Sequence, residues 1–466
     1  MTAPSREDFL KTGAARIVVA GPLGGNVDSS RRAPQDHRRH YRLRMASIRS
    51  ETASANIPVV ALIGTRDTKG DELAWIRRRI EEHQCRVLSI DPGTFSDGGA
   101  DVGAAEIAKR ADSDLDSLRH GGDRGTAIEV LSRGTRAVIC ELVEQGVIHG
   151  ILAVGGSGGS SVAAPALQAV PIGFPKLLLS TMTSGDVRPY VGASDVTMTY
   201  SVVDVSGLNS VSELILDNAA AAIAGMAHTY VARQTQSRPH DARPLVTMTM
   251  FGVTTPAADE ARARLEQHGY EVLVFHATGS GGRAMEKLIA SGLVAGVCDL
   301  TTTELCDNLV GGILSAGPDR LRAASLCGVP QVVSVGAVDM VNFGPRDSVP
   351  SQYSKRTLLQ HNPSITLMRT TADEMSAIGK EVASKVAMAH APTSVFLPLG
   401  GVSSVDVPGQ PFFDPEADTA LFDAIRQGLS GTHVEIQELP MAINDPGFGR
   451  AMADRLHDMI QVTVAS

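Results

Sequence analysis

From residue 150 to residue 161 the chain reads Gly-Ile-Leu-Ala-Val-Gly-Gly-Ser-Gly-Gly-Ser-Ser, an apolar run that breaks into glycines and hydroxyls before an alanine-rich segment. Ile151 to Val154 read as a buried strand, 155 to 159 as a tight turn, and Ser160 or Ser161 as the cap of a helix starting near Val162. Such a corner binds anions. Glycines lack a Cβ, so successive N–H groups can turn toward one point, and the helix start adds unpaired donors and a positive dipole end. The expected occupant is a phosphate gripped by Gly155, Gly156, Ser157, Gly158, Gly159, Ser160 and Ser161. Two other readings stay open. The glycines could serve only close helix–sheet packing, and Gly155 to Gly159 also fits G-x-S-x-G, which would make Ser157 a nucleophile elbow. No P-loop pattern occurs.

The surrounding chain supports a layered α/β architecture. Ile57 to Ile63 is a near-continuous apolar run, the pattern of a parallel strand buried on both faces. Gly64 to Glu72 then reads as a loop, a helix follows from about Asp71 to His83, and Cys85 to Ile90 reads as the next strand. In such a βαβ unit the ligand edge is formed by loops at the strand C-termini. Gly64, Thr65, Asp67, Thr68 and Lys69 therefore share an edge with 155 to 161 and supply hydroxyls, one cation and a carboxylate for magnesium. Asp67 or Thr68 could equally cap the turn. Asp91 stands where a carboxylate commonly meets a ribose hydroxyl. Residues 94 to 125 read as a lid with a helix near 104 to 110, 126 to 145 as a helix, Lys176 to Ser180 as a strand and 211 to 233 as a closing helix. Thr181, Thr183, Ser184 and Gly185 form a further edge loop, and Asp204 is a second candidate magnesium carboxylate.

The segments 60 to 72 (Val-Ala-Leu-Ile-Gly-Thr-Arg-Asp-Thr-Lys-Gly-Asp-Glu), 155 to 161 and 180 to 186 (Ser-Thr-Met-Thr-Ser-Gly-Asp) together resemble the Tm-one-like ATP-binding domain family. The likeness runs from about residue 57 to near the carboxyl end. It implies two α/β parts, nucleotide binding in the first, and dimerisation, so a homodimer or higher homo-oligomer is expected. It implies no particular reaction.

A second strand, Leu245 to Phe251, leads into Gly252 to Glu260, where Asp259-Glu260 stand seven residues after Gly252 as Asp71-Glu72 stand seven after Gly64. The expectation is two doubly wound, Rossmann-like parallel-sheet domains related by an internal duplication of the opening βαβ unit. Their predicted bounds are 56–235 and 244–466, with a linker over 236–243 and a disordered or weakly ordered leader over 1–55 in which Met45 is an alternative start. The second copy has its own glycine corner, His276 to Glu286, then Asp299 to Glu304 after a strand over 294 to 298, a strand-end loop over 336 to 342, and His361. His276, Glu304 and His361 are a candidate acid/base set, although each alone is more often a capped loop residue. Helices are expected near 416 to 429 and 447 to 460.

With 46 glycines and 4% aromatics the cores must be built from aliphatic residues and methionine, and a net charge of −9 argues against a nucleic-acid-coating surface. Five cysteines with no C-x-x-C pair read as reduced thiols, and no apolar run is long enough for a membrane span. A cytoplasmic protein is the default. Three functions follow. The first is an ATP- or nucleotide-binding protein, with magnesium carried by the nucleotide. The second is a hydrolase or lyase acting on an acidic or phosphorylated metabolite through Ser157 or His276. The third is a non-catalytic regulator that binds a protein when nucleotide-loaded.

Overall fold

The apolar run at 57 to 63 forms β1 (Val59–Ile63), buried along its whole length. It is described in a computed structural model that covers residues 57–96, 98–121, 123–235 and 243–465. The leader predicted over 1–55, and the predicted linker except Arg243, lie outside the described residues. The chain divides into two compact units.

After β1 the first unit contains α1 (Arg66–Glu82), β2 (Arg86–Asp91), β3 (Val102–Gly103), α2 (Ala104–Arg110), α3 (Leu115–His120) and α4 (Arg124–Glu144). It continues with β4 (Gly150–Gly155), α5 (Ser157–Ala169), β5 (Lys176–Ser180), α6 (Arg188–Val191), β6 (Thr197–Tyr200) and α7 (Ser210–Thr235). The six strands are parallel in the order β3-β2-β1-β4-β5-β6. Strand alternation makes two cores from one sheet. Val59, Ala61, Ile63, Ile151 and Ala153 pack with Val138, Ile139 and Val162 on one face. Val60, Leu62, Leu152 and Val154 pack with Ile76, Ile80 and Ile223 on the other. Each fully buried Ile or Leu contributes about 1.5–3 kcal/mol relative to exposure, so Ile223→Asp, at the floor of the second core, would break the unit.

The second unit opens with β7 (Leu245–Met250), α8 (Thr255–Gln267), β8 (Glu271–His276), α9 (Ser280–Ala290), β9 (Gly296–Thr301), α10 (Glu304–Val310), α11 (Ala323–Cys327) and β10 (Gln331–Gly336). It closes with β11 (Met340–Phe343), β12 (Leu358–Asn362), β13 (Ile365–Arg369), α12 (Ala372–Val386), β14 (Thr393–Pro398), α13 (Pro415–Leu429), β15 (Glu435–Leu439) and α14 (Phe448–Ala465). Its main sheet is again parallel, β15-β14-β10-β9-β7-β8. The opening unit recurs in place, since β1 lies between β2 and β4 as β7 lies between β8 and β9.

Several local expectations are corrected. The loop read over 64 to 72 is helical from Arg66 onward, interrupted only at Lys69 (φ −139°, ψ 32°). The helix expected near Val162 starts at Ser157. Asp299 lies inside β9 and Asn342 inside β11, not in strand-end loops, and His361 lies inside β12. The antiparallel sheet β11-β13-β12 has no counterpart in the sequence reading. β12 is too exposed to carry the apolar signature by which strands were recognised.

Candidate functional site

In the first sheet the chain reverses its direction of travel between β1 and β4, and ligands of open α/β sheets bind at such switch points, beyond the strand C-termini. A cleft of about 370 Å³ lies there. Its walls are Thr65, Asp67, Thr68 and Lys69 after β1, Pro92 to Thr94 after β2, Gly156 to Gly159 after β4, and Arg124, Ala127, Ile128 and Leu131 of α4.

Gly156 is the extended N-cap of α5 and offers no side-chain cap. The amide of Ser160 closes the first turn on the Gly156 carbonyl at 2.9 Å. The N–H groups of Ser157, Gly158 and Gly159 precede any intrahelical partner, which makes this wall a donor surface with a positive dipole. None of the glycines of 155 to 159 has positive φ, and crowding requires only the one at 155. A Cβ on Gly155 would lie 2.9 Å from the Gly159 Cα.

Around this wall, the Thr65 and Thr68 hydroxyls bond each other at 2.8 Å. The Lys69 ammonium donates to the Val205 carbonyl. Asp67 accepts the Phe95 N–H at 3.2 Å through one oxygen. Arg124 is exposed at the start of α4, and its guanidinium overhangs α5, since a Cβ on Gly158 would stand 3.3 Å from its Nη2. Sequence reasoning missed Arg124 because the helix was started two residues too late; the Asp123 N-cap, which accepts the Gly125 and Thr126 amides, is the signal that locates it.

Other predicted residues lie elsewhere. Ser160 is fully buried, its hydroxyl 2.7 Å from that of Ser180, and Ser161 donates to the Ser157 carbonyl at 2.8 Å, so neither is a cap. Asp91 is buried, and its Oδ1 accepts the amides of Arg66 at 3.1 Å and Gly93 at 2.8 Å. It ties two turns together rather than facing a ribose. Gly64 borders a separate cavity of about 70 Å³ and makes room for Leu73. Thr181, Thr183 and Ser184 form a 3-10 turn, with Thr183 donating to the Thr199 carbonyl at 3.4 Å and the Gly185 N–H to the Met182 carbonyl at 3.1 Å. None of these four residues lines the cleft. Asp204 is exposed and outside the lining, so it does not join Asp67 there. Among the described residues the lining includes no histidine to serve Ser157 as the base of a nucleophile elbow.

In the second unit the glycine corner that follows β8 is occupied from within. Glu304 is fully buried, and its Oε1 accepts the N–H groups of Gly279 at 2.6 Å and Gly282 at 3.1 Å. Its Oε2 accepts from Arg320 Nε at 2.6 Å, while Arg320 also grips Asp299 and Glu286. Burial works against the Arg320 charge, but these three carboxylates outweigh it and hold the guanidinium protonated. Burial pushes the Glu286 carboxyl up. The proposed acid/base set is therefore not assembled. Glu304 is committed inside the protein, His276 is an exposed strand end, and His361 is exposed on the antiparallel sheet. All five cysteines are free, four of them buried and Cys327 exposed. Among the described residues no helix is long and apolar enough to cross a membrane, and no group of three His, Cys, Asp or Glu is placed to hold a metal ion.

Residues 58–232 match the N-terminal domain, and residues 243–460 the C-terminal domain, of an uncharacterised protein family, UPF0261. A UPF0261 protein of Clostridium tetani is 46% identical over 404 residues, 86% of this chain and 99% of that protein. The ToMV resistance protein Tm-1(GCR237) of Solanum lycopersicum is 38% identical over 428 residues, 86% of this chain but 56% of its own length. A solved UDP-N-acetylglucosamine 2-epimerase from Rickettsia bellii covers 59% of this chain and 78% of its own at 10% identity, and its TM-score of 0.20 carries no argument.

Proposed function

Because the chain belongs to the UPF0261 family and carries both of its domains, we propose that it is a nucleotide-binding protein whose first unit holds the phosphates of ATP or a similar nucleotide. The observation that carries this reading is the convergence on one cleft of the Ser157, Gly158 and Gly159 amides, the Thr65 and Thr68 hydroxyls, and two cations. Phosphates are recognised by such donor sets. Magnesium, which binds through one or two carboxylates plus substrate phosphates, would be held by Asp67. Among the described residues Asp67 is the single carboxylate in the lining, and one of its oxygens takes the Phe95 amide. Among the described residues the lining holds one carboxylate and no histidine, and the proposal is one of binding. A homodimer in the cytoplasm belongs to the same proposal.

The test is thermal unfolding of the full chain with ATP, ADP, GTP and inorganic tripolyphosphate, each with and without magnesium. A ligand that binds only the native state adds about 2.7 kcal/mol at a hundredfold excess over its Kd. A clear upward shift with at least one magnesium nucleotide is expected. Flat melting curves with all of them would remove the proposal.

A further inference from the structure

The segment 399–414, between β14 and α13, contains no helix or strand. Structureless loops of this length are uncommon inside compact domains and usually serve as lids or binding loops. This one crosses the C-terminal edge of the second parallel sheet. The Gly401 carbonyl accepts the Ile443 N–H at 2.9 Å, the Val402 carbonyl accepts the Ala337 N–H at 2.9 Å, and the Ser404 N–H donates to the Val253 carbonyl at 3.0 Å. Those partners follow β15, β10 and β7, so one strap spans the edge at which open α/β sheets bind ligands.

The strap is held through Arg369 of β13. Its Nε donates to the Phe412 carbonyl at 2.7 Å and its Nη2 to the Asp414 carbonyl at 3.4 Å. The same Nη2 donates to Asp406 Oδ1 at 3.4 Å, from the strap, and to Asp418 Oδ1 at 2.9 Å, from α13. Asp406 Oδ2 accepts the Val402 N–H at 3.3 Å, and a third carboxylate, Asp339 after β10, accepts the Ser403 hydroxyl at 2.8 Å. Asp339 and Asp406 are 0% exposed, Arg369 6% and Asp418 7%. One guanidinium offsets one of the three carboxylates, and two uncompensated charges in a dry interior are prohibitively costly. Asp406 and Asp418 are also hydrogen-bonded to each other. Two ionised carboxylates are acceptors only, so that bond requires a proton on one of them. The charged groups facing the pair are Arg369 from β13, Asp339 from the turn after β10, and Asp414 at the α13 cap. Burial, and then the charges of Asp339 and Asp418, push the Asp406 carboxyl up to about 9.

We propose that one proton held between Asp406 and Asp418 latches the strap 399–414 over the C-terminal edge of the second sheet, and that loss of this proton as pH rises releases the strap. Closed, the Asp406 carboxyl donates to Asp418, and Arg369 faces a pair carrying one negative charge. Open, Asp406 stands in water and ionises near about 4. Between the solvated value and the closed one the open strap binds one proton fewer, so opening becomes easier as pH rises. The device lies within the second unit and is independent of the nucleotide reading of the first.

The test is native-state hydrogen exchange of the full-length protein between about pH 5.5 and pH 7.5, with each rate divided by that of an unstructured peptide at the same pH. In the wild type, opening of 399–414 should rise about tenfold per pH unit, the signature of one released proton. Asp406→Asn keeps a donor toward Asp418 without an ionisable proton, and should make the same opening independent of pH. Asp339→Asn, outside the pair, should keep the slope. Should Asp406→Asn fail to fold, Asp418→Asn removes the shared proton from the α13 side and should flatten the profile in the same way. A flat wild-type profile would overturn the proposal, as would an undiminished slope in the Asp406 or Asp418 variant or a slope abolished by Asp339→Asn. A strap that exchanges only together with β7, β9 and β10, at their rate, would show unfolding of the whole unit and overturn it as well.

Discussion

In the first unit the amides that open α5 border an open cleft, whereas in the second unit the amides of Gly279 and Gly282 close on Glu304 from the same chain. Both corners follow a parallel strand that lies beside the first strand of its unit, the open one after β4 beside β1 and the filled one after β8 beside β7. The difference teaches that a glycine corner offers donors without deciding who takes them. A buried carboxylate 25 residues along the chain from Gly279, paired with Arg320, is an internal substitute for a ligand anion. Among the described residues no such carboxylate bonds the amides of the first corner, and Asp67 accepts the Phe95 amide.

Removing the internal anion is the most severe way to break this comparison. Glu304→Ala leaves two buried amides and part of the Arg320 charge uncompensated, and should cost about 3–5 kcal/mol, the scale of a broken buried pair. Denaturant unfolding measures it, and a loss below about 1 kcal/mol would show that the corner does not depend on Glu304.

Next comes pH. Burial raises Asp307 to about 7, and burial likewise raises Asp339, Asp406 and Asp418 around Arg369, all in the second unit. A carboxyl whose pKa is higher folded than unfolded stabilises below its unfolded value, near about 4, and loses that contribution as pH rises through the folded value. In the first unit burial opposes the Asp195 charge, yet Lys176 and the Gly173 amide outweigh it and hold Asp195 low. Its contribution is present above about 4 and lost only in acid. Calorimetry from pH 5 to pH 8 should therefore show the second unit's transition falling relative to the first. Parallel movement of the two transitions would contradict this.

Single methyl groups sharpen the contrast. A Cβ on Gly282 would lie 2.2 Å from Glu304 Oε2, which is held on both sides, so Gly282→Ala should destabilise by about 1–3 kcal/mol. A Cβ on Gly158 would meet the end of the Arg124 side chain at 3.3 Å and Ile128 Cδ1 at an ordinary 3.9 Å, so Gly158→Ala should change folding stability by less than about 1 kcal/mol while weakening magnesium-ATP binding. Equal unfolding costs at the two sites would erase the distinction between a filled corner and an open one. The smallest effect is expected for Ser157→Ala, which keeps the amide and removes only the hydroxyl. Titration with magnesium-ATP should give an affinity within about threefold of wild type, whereas a much larger loss would return the hydroxyl to a leading role.

Much of the architecture was legible in the sequence because its strongest signals are local. Val59 to Ile63, Ile151 to Val154 and Leu177 to Leu179 are apolar on both faces, the pattern of a covered parallel sheet, and the repeated Asp-Glu seven residues after Gly64 and Gly252 marks the duplicated opening. The glycine corners were legible for the same reason. What the sequence alone determined was thus the two α/β layers, their family and the places where amides would be exposed. The tertiary structure decided the rest: that Ser160 turns to Ser180 instead of a ligand, that Asp91 is spent on two turns, that Arg124 overhangs α5, and that Glu304 enters the second corner. Those outcomes depend on which groups from distant segments meet in a dry interior, where each donor or charge must find a partner. Local pattern carries the propensity of a segment but not the identity of the partner folded against it.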